Sequence, residues 1–102
     1  MNLNVYSLFD QAAEAFTQPF FMHNDGLAIR AFQDNVNATD TNVAQHPDQF
    51  TLFKLGTYDD INGKLVPEET PVSIALGLEL KNPTETDDTK KLLQEILKKV
   101  TK

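Results

Sequence analysis

His23 and His46 are the side chains best suited to proton transfer or metal ligation in this chain. Neither stands in a clustered ligand spacing such as HExxH. His23 adjoins Asn24 and Asp25, a composition that makes turns and caps, and His46 precedes Pro47, a common loop pairing. The serines, Ser7 and Ser73, lie outside any nucleophile-elbow pattern. Cysteine is absent, which removes the thiolate nucleophile, the thiolate zinc site and the disulfide. The 4 glycines are scattered, so no loop cradles a phosphate. Asp59-Asp60 offers two carboxylates without the remaining ligands of a calcium loop, and reads as a solvated turn. The expectation is a protein with no enzymatic activity, no metal and no cofactor.

Stacking is better supplied. The 7 Phe and 2 Tyr concentrate on segments that read as strands. Strand aromatics can hold the bases of single-stranded nucleic acid while nearby cations meet its backbone. Tyr6, Phe20, Phe21, Phe53 and Tyr58 are the candidate platform, with Arg30, Lys54 and Lys64 as the candidate cations. From these, Tyr6, Phe20, Arg30, Lys54, Tyr58 and Lys64 are taken as the nucleic-acid-binding set. Tyr6 and Tyr58 are expected to be the exposed rings, because a phenol tolerates water; most Phe are expected in the core. Charge opposes simple DNA coating. The net charge is −6, and residues 1–86 hold four cations against twelve acids. Residues 87–102 reverse the sign, with five lysines against Asp87, Asp88 and Glu95. Non-specific nucleic-acid binding is driven by cationic contacts to phosphate, so an acidic body favours another mode or a local patch.

The elements that must position these residues are legible in outline. Residues 3–9 are rich in β-formers, with Leu3, Val5 and Phe9 on one face and Tyr6 and Leu8 on the other. Residues 16–22 read as a second strand, and Pro19 confines it to an edge or a bulge. Asn24 or Asp25 caps a helix over 25–37, where Leu27, Ala28, Ala31, Phe32 and Asn35 share one side. Residues 37–42 are turn formers. Residues 50–58 should form a central strand, and Asn62-Gly63 a turn. A short strand is expected at 64–66, then an exposed extended stretch between Pro67 and Pro71. In residues 72–80, Val72, Ile74, Leu76, Leu78 and Leu80 alternate strictly, so a strand with one apolar face is favoured, though the segment can also turn helical.

Residues 81–86 read as a linker, and Thr86 or Asp87 opens a final helix. Leu92, Leu93, Ile96, Leu97 and Val100 cover an arc of about 140° on its wheel. An isolated helix of that length is marginal in water, so the stripe must dock, either on the chain's own sheet or against another copy. It is assigned as the oligomer interface. The fold expected is α+β: a small antiparallel sheet of four to five strands with one packed helix, in ββαβ-like order, over residues 1–82, followed by a linker and amphipathic C-terminal helix over 83–102. The chain has 102 residues, a one-domain length.

The ordered series Tyr6-Ser7, Phe9-Asp10, Pro19-Phe20, Asn24-Asp25, Ala28-Ile29-Arg30-Ala31-Phe32, His46-Pro47-Asp48, Phe50, Leu52-Phe53, Leu55-Gly56, Tyr58-Asp59 and Gly63 resembles the small non-structural protein of gokushoviruses, single-stranded DNA phages of the microvirus group. The likeness runs over about residues 3–80. It implies a non-capsid phage protein that serves genome replication or packaging, with single-stranded DNA as a partner. A homo-oligomer and contacts to viral or host replication proteins are the further partners expected. The segment 83–102 is longer than the family's usual end. Met1-Asn2-Leu3-Asn4 lacks the basic region and long apolar core of a signal peptide, and no apolar run approaches the ~18 residues that span a bilayer. The expected location is the host bacterial cytoplasm, with no membrane contact.

Overall fold

A computed structural model describes residues 2–82. Its centre is a five-stranded antiparallel sheet with helices on one side, an α+β fold. β1 spans Asn2–Asp10. The chain then turns back through a loop in which Asp10 Oδ1 accepts from the Ala12 and Ala13 amides and Glu14 takes a positive φ of 56°.

The expected second strand is two fragments, β2 (Ala15–Phe16) and β3 (Phe20–Met22), both paired antiparallel to β1. The break falls at Thr17–Pro19, where proline has no amide for the ladder. Thr17 carries the join: its amide donates to the Leu8 carbonyl, and its hydroxyl accepts from the Leu8 amide. The buried Ser7 hydroxyl donates to the Thr17 carbonyl at 2.6 Å.

α1 (Asp25–Val36) begins where Asn24 Oδ1 accepts from the Leu27 amide. Its spacing turns Ala28, Phe32 and Val36 onto the sheet. The turn-forming run that follows is more ordered than its composition suggests. Thr41 caps a short α2 (Asn42–Gln45) by accepting from the Ala44 amide, and Val43 and Ala44 are buried. A single 3₁₀ turn, Pro47–Gln49, leads into β4 (Phe50–Asp59), which pairs with β1 on one side and with β5 (Leu65–Leu76) on the other.

β5 departs from expectation. The short strand, the stretch between the prolines and the front of the alternating segment are one strand of 12 residues at the sheet's edge. It does not run to Leu80. Residues Gly77–Leu80 form a helical turn, α3. A Cβ on Gly77 would lie 2.4 Å from the Pro47 carbonyl oxygen, so the strand ends at the residue whose missing side chain lets the chain lie against the 3₁₀ turn. The five alternating residues therefore do not share a face. Ile74 and Leu80 pack on the core, while Val72, Leu76 and Leu78 are exposed.

The core joins Tyr6, Leu8, Phe50 and Leu52 of the sheet to Ala28, Phe32, Val36 and Val43 of the helices. Polar side chains close its lower end. Lys81 Nζ donates to the Val36 and Ala44 carbonyls at the ends of α1 and α2, a favourable place for a cation. Asn37 donates to the Leu80 carbonyl and accepts from the Asn82 amide. The expected helix and oligomer-interface residues Leu92, Leu93, Ile96, Leu97 and Val100 lie outside the described residues.

Candidate functional site

Paired residues in an antiparallel ladder point to the same side of the sheet, so the register sorts the molecule into two faces. Tyr6, Leu8 and Leu52 point toward α1. The opposite side carries Leu3, Val5, Ser7 and Phe9 of β1, with their partners Tyr58, Gly56, Phe53 and Thr51 on β4. Phe16 joins opposite Phe9 and Phe21 opposite Val5. From β5 come Leu65, Pro67, Ser73 and Leu76. No described helix packs on this side.

Its aromatics form two groups. Phe9, Phe16 and Phe53 make a three-ring cluster, with centroids 5.1, 5.5 and 6.4 Å apart in edge-on geometries. Phe21 and Tyr58 make a second, at 5.4 Å. Phe16 keeps 43% and Phe21 45% of its surface exposed. Beside the second group lies a cavity of about 260 Å³ lined by Val5, Leu55, Gly56, Thr57, Leu65, Val66 and Pro67. Gly56 makes room for the crossing of β5: a Cβ there would sit 2.3 Å from the Val66 carbonyl oxygen. The ladder positions of this face carry no charged residue.

Of the six residues expected to bind nucleic acid, Tyr58 alone stands on this face. Tyr6 is not the exposed ring expected of a phenol. It is fully buried, stacked on Phe20 at 5.8 Å, and its hydroxyl donates to Asp25 Oδ1 while accepting from Asn4 Nδ2. The partners at its tip are what let a phenol sit inside. Burial, with the Asp25 hydrogen bond adding to it, pushes its pKa up from 10.0 to about 12. Phe20 also faces α1 and packs against the core. Lys54 pairs with Tyr6 in the ladder, so it leaves the sheet on the helix side, where Glu68 lies 3.8 Å away. Arg30 is exposed on α1, and Lys64 is exposed in the β4–β5 connection. The six do not converge.

A register shift produces the separation. Val5 pairs with Gly56 and Tyr6 with Lys54, leaving Leu55 as an extra residue in β4. One extra residue reverses every side chain beyond it, so Lys54 and Tyr58 point opposite ways despite their even spacing. Phe9 and Phe16 are the rings missing from the sequence-based platform. The signal for Phe9 was present, in its alternation with Leu3 and Val5 against Tyr6 and Leu8.

Among the described residues no group of three or more His, Asp or Glu is placed to hold a metal ion. No described helix is long and apolar enough to cross a membrane. The arrangement offers stacking and apolar contact. A family model described as Phage ORF5 protein matches residues 3–80. No curated protein and no solved structure matches the chain.

Proposed function

The chain belongs to the Phage ORF5 protein family, and from that premise we propose that it is a non-structural accessory protein of gokushovirus type that binds single-stranded DNA during genome replication or packaging in the host bacterial cytoplasm. The observation that carries the reading is the aromatic face of the sheet, with Phe21 and Tyr58 at one end and Phe9, Phe16 and Phe53 at the other. Base–aromatic stacking contributes about 1–3 kcal/mol per base and tolerates any sequence. With no cation at the face's ladder positions, stacking is the larger share of affinity and the salt dependence is shallow.

Fluorescence anisotropy of a labelled single-stranded oligonucleotide, at low and moderate salt, tests this. Tyr58→Ala and Phe21→Ala should each weaken binding by roughly 5- to 150-fold, the equivalent of one stacked base. Tyr6→Phe should leave it unchanged. No binding at protein concentrations on the order of tens of micromolar, even at low salt, overturns the reading.

One observation favours a second reading, in which the protein is an oligomeric interaction module that recruits viral or host replication factors without touching DNA. The face is uncharged in a strongly acidic body, and protein interfaces have cores depleted in charge and enriched in aromatics. Light scattering of the full chain separates the two. A monomer that binds DNA leaves the first reading standing; an oligomer that ignores DNA leaves the second.

A further inference from the structure

We propose that Asn62 is a modification site, at which the chain deamidates without an enzyme, and that the bond from the Gly63 amide to the Asp59 carbonyl restrains the rate. Of the eight asparagines, Asn62 alone precedes a glycine. The nucleophile of this reaction is the amide nitrogen of the following residue, and a side chain on that residue would hinder its approach.

Three observations of the β4–β5 connection lead there. Residues 61–64 are exposed, and a Cβ on Gly63 would meet nothing within 4 Å, so water and hydroxide reach the peptide. Asn62 Oδ1 accepts from the Lys64 amide at 3.0 Å. This closes an Asx turn whose ring contains both Asn62 Cγ and the Gly63 nitrogen. A backbone donor on that oxygen also stabilises the charge that develops there when Cγ is attacked. The Gly63 amide itself donates to the Asp59 carbonyl at 2.7 Å. That bond holds the proton which must leave, so the nitrogen reacts only when the turn opens.

The step balances with water alone. Hydroxide removes the Gly63 amide proton, the nitrogen bonds to Asn62 Cγ, and the Cγ–Nδ2 bond breaks as ammonia leaves, taking a proton from water. Water then opens the cyclic imide at either carbonyl, giving aspartate or isoaspartate. Either product adds one negative charge beside Asp59 and Asp60, in a chain of net charge −6. Isoaspartate also adds a methylene to the main chain between Asp59 and Gly63, loosening the connection that sets Tyr58 opposite Leu65. Other asparagines lack this combination. Asn24 caps α1 and Asn35 lies within it. Asn37 gives its side-chain amide to the Gln33 and Leu80 carbonyls. Asn82 precedes Pro83, which has no amide proton to lose.

The full chain is incubated in mildly alkaline buffer, folded and in guanidinium chloride, then digested and mapped by mass spectrometry. Isoaspartate is counted by enzymatic methyl transfer. The expected result in the folded chain is a one-dalton gain at Asn62, several-fold faster than at any other asparagine. In denaturant the rate at Asn62 should rise several-fold further. Deamidation at Asn62 no faster than elsewhere in the folded chain overturns the site. An Asn62 rate unchanged by denaturant overturns the restraint by the turn. The readout contains no DNA, so its failure is separate from failure of the DNA-binding reading.

Discussion

Replacing Tyr6 by Phe separates a buried phenol from a base-stacking one. The substitution keeps the ring in the core and deletes the hydroxyl, leaving Asp25 without a donor and Asn4 without an acceptor. Asp25 is exposed and Asn4 half-buried, so water replaces part of the loss and the cost at neutral pH is about 1 kcal/mol. Alkaline pH works the other way. The folded phenol titrates near 12 and the unfolded one near 10.0. Because the folded pKa is raised, the folded state holds a proton that the unfolded state has released, and stability falls as pH rises between the two values. Two units at ~1.36 kcal/mol each give a loss on the order of 3 kcal/mol, complete only above the folded pKa. The stabilisation is fully present below pH 10. Tyr6→Phe has no such group. Urea unfolding followed by far-UV circular dichroism, over a series of pH values, should show wild type ahead by about 1 kcal/mol at neutral pH. The difference should cross zero between pH 10 and pH 12. Lysine deprotonation affects both proteins and cancels. A difference that stays constant across that interval would refute the burial of the phenol and its contact with Asp25.

Other perturbations probe the frame that sets the open face. Gly56→Ala places a methyl group 2.3 Å from the Val66 carbonyl oxygen and 2.9 Å from Pro67 Cα; because both are backbone, the urea midpoint should drop by the equivalent of about 1–3 kcal/mol. Asn24→Ala removes the cap on the Leu27 amide and should cost about 1 kcal/mol, with no change in oligonucleotide anisotropy. Lys54→Met should shift thermal stability by less than about 1 kcal/mol, because its 3.8 Å contact with Glu68 is partly solvated.

Local signals carried much of the architecture. The alternation of residues 3–9 assigned Leu3, Val5 and Phe9 to one side and Tyr6 and Leu8 to the other, as the ladder does. A cap at Asn24 or Asp25, Pro19 confining its strand to an edge or a bulge, and residues 50–58 as a central strand were equally readable. What escaped was non-local. Which side of β1 meets the helix depends on where α1 docks, and a phenol paired with a carboxylate nineteen residues away belongs inside. Leu55 looks like any strand residue, yet its extra place against β1 reverses Tyr58 relative to Lys54. The end of β5 depends on the approach of Gly77 to Pro47, thirty residues earlier. The candidate site was therefore legible as a supply of aromatic rings and in Phe21, Phe53 and Tyr58, while Phe9 and Phe16 were missed and Tyr6 and Phe20 belong to the other side.

The edge position of β5 bears on lateral growth of the sheet. A strand of 12 residues at the margin offers unpaired backbone groups to any other extended chain, and growth by that route leads to fibres. Pro67 and Pro71 interrupt the supply of amides in this strand, and Glu68 and Glu69 between them set like charges against an incoming copy. Lateral growth is discouraged at the margin. The broad face, where Phe16 and Phe21 are exposed, has no such guard.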